Sequence, residues 1–393
     1  MPNKFQLLDT KLDSDGSEGD GMADITGLFV FFFNSLDDVL QYLTNKVDVT
    51  KTFSICVSRS NLFQRGLQQW QRQKKSSPDG SLQVSFLGEA GIDTGALRKE
   101  FFTEMISGIE QRFFESGLDK KGKNPIYSVN YLDHKYTKTV TAGEIMAVSL
   151  AQGGPAPTFM REWCFTYLAS GDIDQLELSS DDVISAYFKD ILNCGYTGVI
   201  STEKSDEMIR AIVRHSTVRL TPMLQQLRKG LQLYNFSLEK TTKTNFCICF
   251  WQPDADFIMT NCVPHLSEKG TIKHTLEMDV LNYFQDFLQE AEDTTDSSEM
   301  ESNSNCISVP GILQWLTGQT HKPILPNEKR DFSIHINFNH DCQDENVYHH
   351  ICFPTVSACT NTITFPTMHM KSYSEFKCVM TQALKFGNTF SRV

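Results

Sequence analysis

The chain has 393 residues, 40% of them hydrophobic, enough for a large core and too many for one small domain. With 21% charged residues and a net charge of −12, it repels nucleic-acid phosphates, so DNA or RNA is not an expected partner. Its 11 cysteines include no C-x-x-C pair, which speaks against a disulfide framework or zinc ligands and for free thiols in a reducing compartment. The longest apolar run, Gly27–Phe33, falls far short of the roughly 20 residues that cross a bilayer. An acidic stretch precedes it, the opposite of a signal peptide's basic start. A cytoplasmic or nuclear protein is expected, with no membrane partner, cofactor or metal.

Residues 1–34 read as an acidic, largely disordered leader, with Asp9, Asp13, Asp15, Glu18, Asp20 and Asp24 among Gly and Ser. Ser35 then suits a helix N-cap, and Leu36, Val39, Leu40 and Leu43 recur at helical spacing. Phe53–Val57 alternates like a strand, Ser60–Trp70 reads as a helix and Leu82–Leu87 as a second strand. Three glycines between Gly88 and Gly95 mark a tight connection into a helix over Arg98–Ile109. Further helices are expected at Ala142–Ala151, Phe159–Ala169, Ser180–Asn193, Asp206–Val213 and Pro222–Tyr234. Gly153-Gly154-Pro155-Ala156-Pro157 is a hard break between the first two of these. An irregular polar stretch, Leu266–His274, leads into an amphipathic helix over Leu276–Ala291. The acidic residues from Glu290 to Glu301 read as a solvated loop. Ser333–Phe338 and Thr360–Phe365 alternate as strands. A closing helix spans Ser374–Phe386, with Phe376, Val379, Met380 and Ala383 on one face. The expected fold class is α+β, a mostly helical first part followed by a smaller α/β part.

Four stretches, in order, resemble the HECT family of ubiquitin ligases. They are SICVSRSNLFQRGLQQW at 54–70, VSFLGEAGIDTGALRKEFF at 84–102, ILQWLTGQTHKP at 312–323 and FPTVSACTNTITFP at 353–366. The second is similar to the family's G-E-x-G-I-D-x-G-G-x-x-x-E-F-F signature, with Ala96 in place of the second glycine. The fourth is similar to the stretch around the family's catalytic cysteine, with Ala358 and Thr360 where the family has threonine and phenylalanine. GGPAPTFM at 153–160 is similar to a divergent animal subgroup, the G2/M-phase-specific ubiquitin ligases.

The resemblance implies a HECT-like bilobal fold, with an N-lobe over 35–266, a hinge at 267–274 and a C-lobe over 275–393. It implies a transferase that takes ubiquitin from a conjugating enzyme onto Cys359 as a thioester and passes it to a substrate lysine. Its partners would be ubiquitin, a conjugating enzyme and a protein substrate. Asn361 matches the family beside the cysteine. Phe390, fourth from the end, corresponds to an aromatic that docks to align the lobes. The family's subdomain for gripping the conjugating enzyme, between the helices at 142–167 and 208–231, is shortened here. This keeps open an alternative, an inactive HECT-like module that binds ubiquitin or a substrate without transferring.

Thioester exchange between thiols is nearly balanced in free energy, so it asks for an exposed thiolate in position and no full triad. A cysteine in a loop between strands meets that demand. Asp341, Asp344 and Glu345 are candidate bases for the attacking lysine. Glu89, Asp93, Arg98 and Glu100 are expected to fix the Gly-rich turn by binding each other and the backbone. Cys342, His349, His350 and Cys352 fit no common zinc spacing. His335, His340 and His369 bring no protease signature to the cysteine. Trp163, Phe165 and Tyr167 are expected in the core.

Overall fold

Alternation places the first core. Phe53, Ile55 and Val57 point inward from strand β1 (Asp48–Val57), as do Leu82, Val84 and Phe86 from β2 (Gly80–Phe86). The two strands pair in parallel, Phe53 beside Leu82 through to Val57 beside Phe86, and helix α2 (Leu62–Arg72) makes the crossover between them. The computed structural model describes residues 36–73, 76–89, 95–116, 122–126, 138–171, 220–234, 252–297, 307–341 and 351–386, with isolated positions between 197 and 218. The expected helices at Ser180–Asn193 and Asp206–Val213, the expected acidic leader and the expected shortened subdomain lie wholly or mostly outside the described residues.

Helices then close over the pair. They are α1 (Leu36–Lys46), α3 (Ala96–Phe113), α4 (Lys138–Ala151), α5 (Glu162–Ser170) and α6 (Thr221–Leu231). A short hairpin of β3 (Phe114–Ser116) and β4 (Lys123–Pro125) follows α3. Phe101, Phe102, Met105 and Ile109 of α3, and Ile145, Met146 and Val148 of α4, are fully buried in one continuous cluster. Tyr167 is buried in it, and Trp163 and Phe165 pack partly buried against it, as their sequence context predicts.

A second cluster forms around a four-stranded sheet in the order β5-β6-β8-β7. Its strands are β5 (Cys262–Pro264), β6 (Ile334–Asn339), β7 (Thr355–Ser357) and β8 (Thr362–Pro366). The first, second and last run parallel, and β7 runs antiparallel to β8. Ile334, Ile336, Ile363 and Phe365 face the core. Helices α7 (Ala255–Thr260), α8 (Ile272–Ser297), α9 (Val309–Thr317) and α11 (Tyr373–Phe386) supply the rest, with the short α10 (Pro326–Asp331) between α9 and β6. Phe284, Phe287, Phe365 and Phe376 pack edge to face or tilted, with Phe376 5.7 Å from Phe365 and 6.1 Å from Phe287. The expected inward residues of the closing helix, Phe376, Val379, Met380 and Ala383, are all buried. The chain is thus α+β, with a helix-rich first core and a second core built on a mixed sheet. No helix among the described residues is long and apolar enough to cross a membrane.

Two expectations meet a different arrangement. Glu290–Ser297 continues α8 and is not a loop. Tyr373 donates to the Glu290 carboxylate at 2.5 Å and Lys377 pairs with it, so α11 holds the acidic turn in place. The segment 267–274, read as a hinge, joins β5 to α8. The β5 strand is part of the second sheet, and Val280, Phe284 and Phe287 of α8 are buried in the second core.

That segment is anchored. The Glu277 carboxylate, 2% exposed, accepts the Ser267 backbone N–H at 2.6 Å and its hydroxyl at 2.5 Å, and pairs with His340 Nε2 at 2.7 Å. His340 reaches Thr367 Oγ1 through Nδ1 at 2.9 Å. Burial raises the Glu277 pKa, but the bonds from Ser267 and then His340 outweigh it and hold the carboxyl below its ordinary range. Its stabilising contribution is therefore present above the unfolded carboxylate range and is lost as pH falls through the lower folded value. Glu277→Gln is expected to cost about 1–2 kcal/mol at pH 7, with the difference from wild type narrowing as pH falls below about 4. Urea titrations across pH check this, and an equal gap at every pH would contradict it.

Candidate functional site

The hairpin of β7 and β8 ends in a four-residue turn, and this turn carries Cys359. Thr360 donates its N–H to Ser357 O at 3.2 Å and closes the turn. Asn361 then takes a left-handed backbone, φ 46°, which asparagine tolerates better than most residues. Its side chain donates to Ser333 O at 3.2 Å, and its carbonyl accepts the His335 N–H at 2.8 Å. The turn is therefore fastened to the start of β6 on both sides of Asn361. Pro354 and Pro366 are buried at the two outer ends of the hairpin. Asn361 thus acts on the backbone that presents the cysteine.

Cys359 itself is exposed. Cys56 and Cys378 are also exposed, on β1 and α11, whereas Cys352 and Cys262 are partly covered and Cys164 is buried. Burial pushes the Cys262 thiol up to about 12 and Cys164 higher still, which makes both poor nucleophiles at neutral pH. Of the three exposed cysteines among the described residues, Cys359 alone sits at a hairpin tip.

The other candidates scatter. Phe390, Asp344, Glu345, Cys342, His349, His350 and Asp93 lie outside the described residues. Asp341 is exposed and pairs with Lys273 at 3.7 Å. Among the described residues no group of three or more His, Cys, Asp or Glu side chains is arranged to hold a metal. His335 stacks on His265 with ring centroids 5.4 Å apart, on the sheet face away from the core, and His340 is engaged by Glu277. In the first core, the Arg59 guanidinium bridges Glu89 and Glu100 and lies 4.2 Å over the Phe86 ring. Its pKa is raised, by Glu89 first and then Glu100, against the cost of burial. This ties the Gly-rich turn to α3 and gives the two glutamates a structural role. Ser333 and His335, which support the Cys359 turn through backbone groups, carry no signal in the sequence. Their role arises only when β6 and β8 pair.

With that geometry in place, two curated proteins compare with the chain. A human protein named G2/M phase-specific E3 ubiquitin-protein ligase is 24% identical over 360 residues, covering 83% of this chain and 46% of its own. The chain is similar to a ubiquitin ligase. The protein of the same name from Macaca fascicularis is 23% identical over 297 residues, covering 66% of this chain and 40% of its own. This agrees with the resemblance carried by the four motifs and by the segment at 153–160. The chain spans under half the length of either relative, 46% and 40%. No protein-family model matches it.

Proposed function

We propose that the chain is a HECT-like ubiquitin-protein transferase with Cys359 as the acceptor thiol. The observation that carries this is an exposed cysteine at the tip of a fastened hairpin, within a stretch similar to the family's catalytic segment. The Cys359 thiolate attacks the carbonyl of ubiquitin's C-terminal glycine on the conjugating enzyme. An S–C bond forms as the enzyme's thiolate leaves. A substrate lysine amine then attacks the same carbonyl, an isopeptide bond forms, and the Cys359 thiolate leaves while the amine's proton passes to solvent.

The two cores are the proposed lobes. Cys359 must face the conjugating enzyme and then the substrate, which calls for a joint between the lobes. A joint within one core cannot carry a movement between two, so the segment 267–274 is not proposed as that joint. Phe390 is the proposed anchor of the transfer arrangement, and Asn361 the residue that holds the turn. The proposed setting is the cytoplasm or nucleus.

Incubation with ubiquitin, its activating enzyme, ATP and a panel of conjugating enzymes tests the reading on a non-reducing gel. An adduct that disappears with thiol reductant is the expected result. Ubiquitin binding without any adduct would favour the non-transferring module and overturn the transferase.

A further inference from the structure

One segment touches both cores. It runs from Gly318, just past α9, through α10 to Asp331. On the first core's side, Ile324 is fully buried against Leu40 of α1, with Leu150 of α4 and Leu325 packed around them. Glu328 pairs with Lys99 of α3 at 3.4 Å, and Lys329 with Asp37 of α1 at 2.7 Å. Two glycines permit the close approach. A Cβ at Gly153 would lie 2.7 Å from the Glu328 carboxylate, and one at Gly318 3.1 Å from Ala96 O. The Gly-Gly-Pro break after α4 thus becomes the seat of the Glu328 side chain. On the second core's side, Lys322 donates to Asp254 at 2.9 Å and lies over the Phe257 ring.

The seam has a weak interior. Gln319 is fully buried, and neither atom of its amide finds a hydrogen-bond partner among the described residues. The same holds for Nε2 of His321, which is 6% exposed. Undocking would give these groups water, so the closed state forgoes bonds that an open one regains. The apolar part rests on Ile324 and Leu40, a small patch beside either core. The two cores therefore have reason to stay folded when the seam parts.

We propose that the segment 318–331 is a releasable latch that fixes the second core against the first, and that proton uptake at His321 releases it. The proton positions follow from the geometry. His321 Nδ1 lies 2.8 Å from Lys322 O, an acceptor only, so Nδ1 carries the proton and Nε2 is bare. A second proton on Nε2 would make a buried cation with no acceptor, in the field of Lys99. Burial first, and Lys99 further, lower the imidazole's pKa to about 4 from its ordinary 6.5, against the opposing bond to Lys322 O. Among the described residues the charged groups facing the seam are Lys99 with Glu328, Lys322 with Asp254, Lys329 with Asp37, and Glu104 of α3, which accepts from Gln314 of α9 at 3.5 Å. The closed state binds the proton more weakly than the open one. It is favoured above pH 6.5 and loses ground about tenfold per unit as pH falls towards 4. The latch stands apart from the transferase reading, and only its consequence for transfer rests on that reading.

Energy transfer between fluorophores placed at Gln69 of α2 and Lys385 of α11, both exposed, reads the latch in the full chain without ubiquitin. Nanomolar concentrations avoid self-association near the isoelectric point. Between pH 7.5 and pH 5.0 the closed-to-open ratio should fall about 30-fold. His321→Phe should abolish that change, and Ile324→Asp should open the latch at pH 7.5. Circular dichroism confirms folding. If His321→Phe does not fold, His321→Gln replaces it, and an acid response that persists undiminished in the folded variant overturns release through His321. A transfer efficiency unchanged by acid in the wild type, or unchanged in folded Ile324→Asp, overturns the latch. A latch that works in a chain forming no ubiquitin adduct would sink the transferase reading and leave the latch intact.

Discussion

Cys359→Ala is expected to remove the reductant-sensitive ubiquitin adduct completely, with no loss of folding. The turn's geometry comes from Thr360, Asn361 and their backbone partners, and the Cys359 side chain is exposed, so truncating it leaves no cavity. Cys359→Ser is the sharper variant. A serine oxygen keeps the shape of the turn and can trap ubiquitin as an ester, stable to thiol reductant and cleaved by alkali. Cys56→Ser and Cys378→Ser should leave the adduct unchanged, because exposure alone does not make an acceptor. Gels run with and without reductant, on chains whose circular dichroism matches the wild type, check all four. Retention of the adduct in Cys359→Ala would move the chemistry to another thiol.

The largest expected loss of stability lies elsewhere, where α4 crosses α6. Gly143 and Gly230 let the two backbones touch. A Cβ at Gly143 would sit 2.2 Å from Leu227 O, and one at Gly230 2.1 Å from Val140 O and 2.7 Å from Glu144 N. The clashing atoms are backbone, so no side-chain rotation relieves them. Alanine at either site must push the helices apart across a fully buried contact. The expected cost is about 3 kcal/mol, the upper end for overpacking, and it outweighs the alanine's gain in helix propensity of about 1 kcal/mol. Each single variant should unfold at clearly lower urea concentration, and the double variant should gain little further penalty, because one displacement serves both. A stability equal to wild type for Gly143→Ala would show that the crossing is looser than described.

Much of this fold is legible in the sequence wherever a period runs long enough. α1, β2 and α11 follow their apolar spacing, and α3 and α4 each extend a few residues beyond it. α9 is a different case. It is capped by Ser308, has Pro310 in its first turn and ends on the left-handed Gly318, yet it lies within a motif read for its resemblance rather than its period. The short β5, β7 and α7 have too few residues to display any period, and only pairing within the second sheet defines the strands. Leu266–His274 looks like a joint because it is polar and irregular. What holds it is Glu277, ten residues from Ser267 in sequence and engaged with His340 from another strand's end. The cysteine at the tip is visible from its motif. Its support from Ser333 and His335 is not, since parallel pairing brings together residues nearly thirty positions apart.

Intact-mass measurement of the chain after brief exposure to ubiquitin, activating enzyme, ATP and a competent conjugating enzyme bears most directly on the account, followed by peptide mapping under acidic, non-reducing conditions. The account predicts one added ubiquitin, with its C-terminal glycine on the peptide that contains Cys359. A ubiquitin mapped to Cys56 or Cys378, or no mass gain with any conjugating enzyme while ubiquitin still binds, would contradict it.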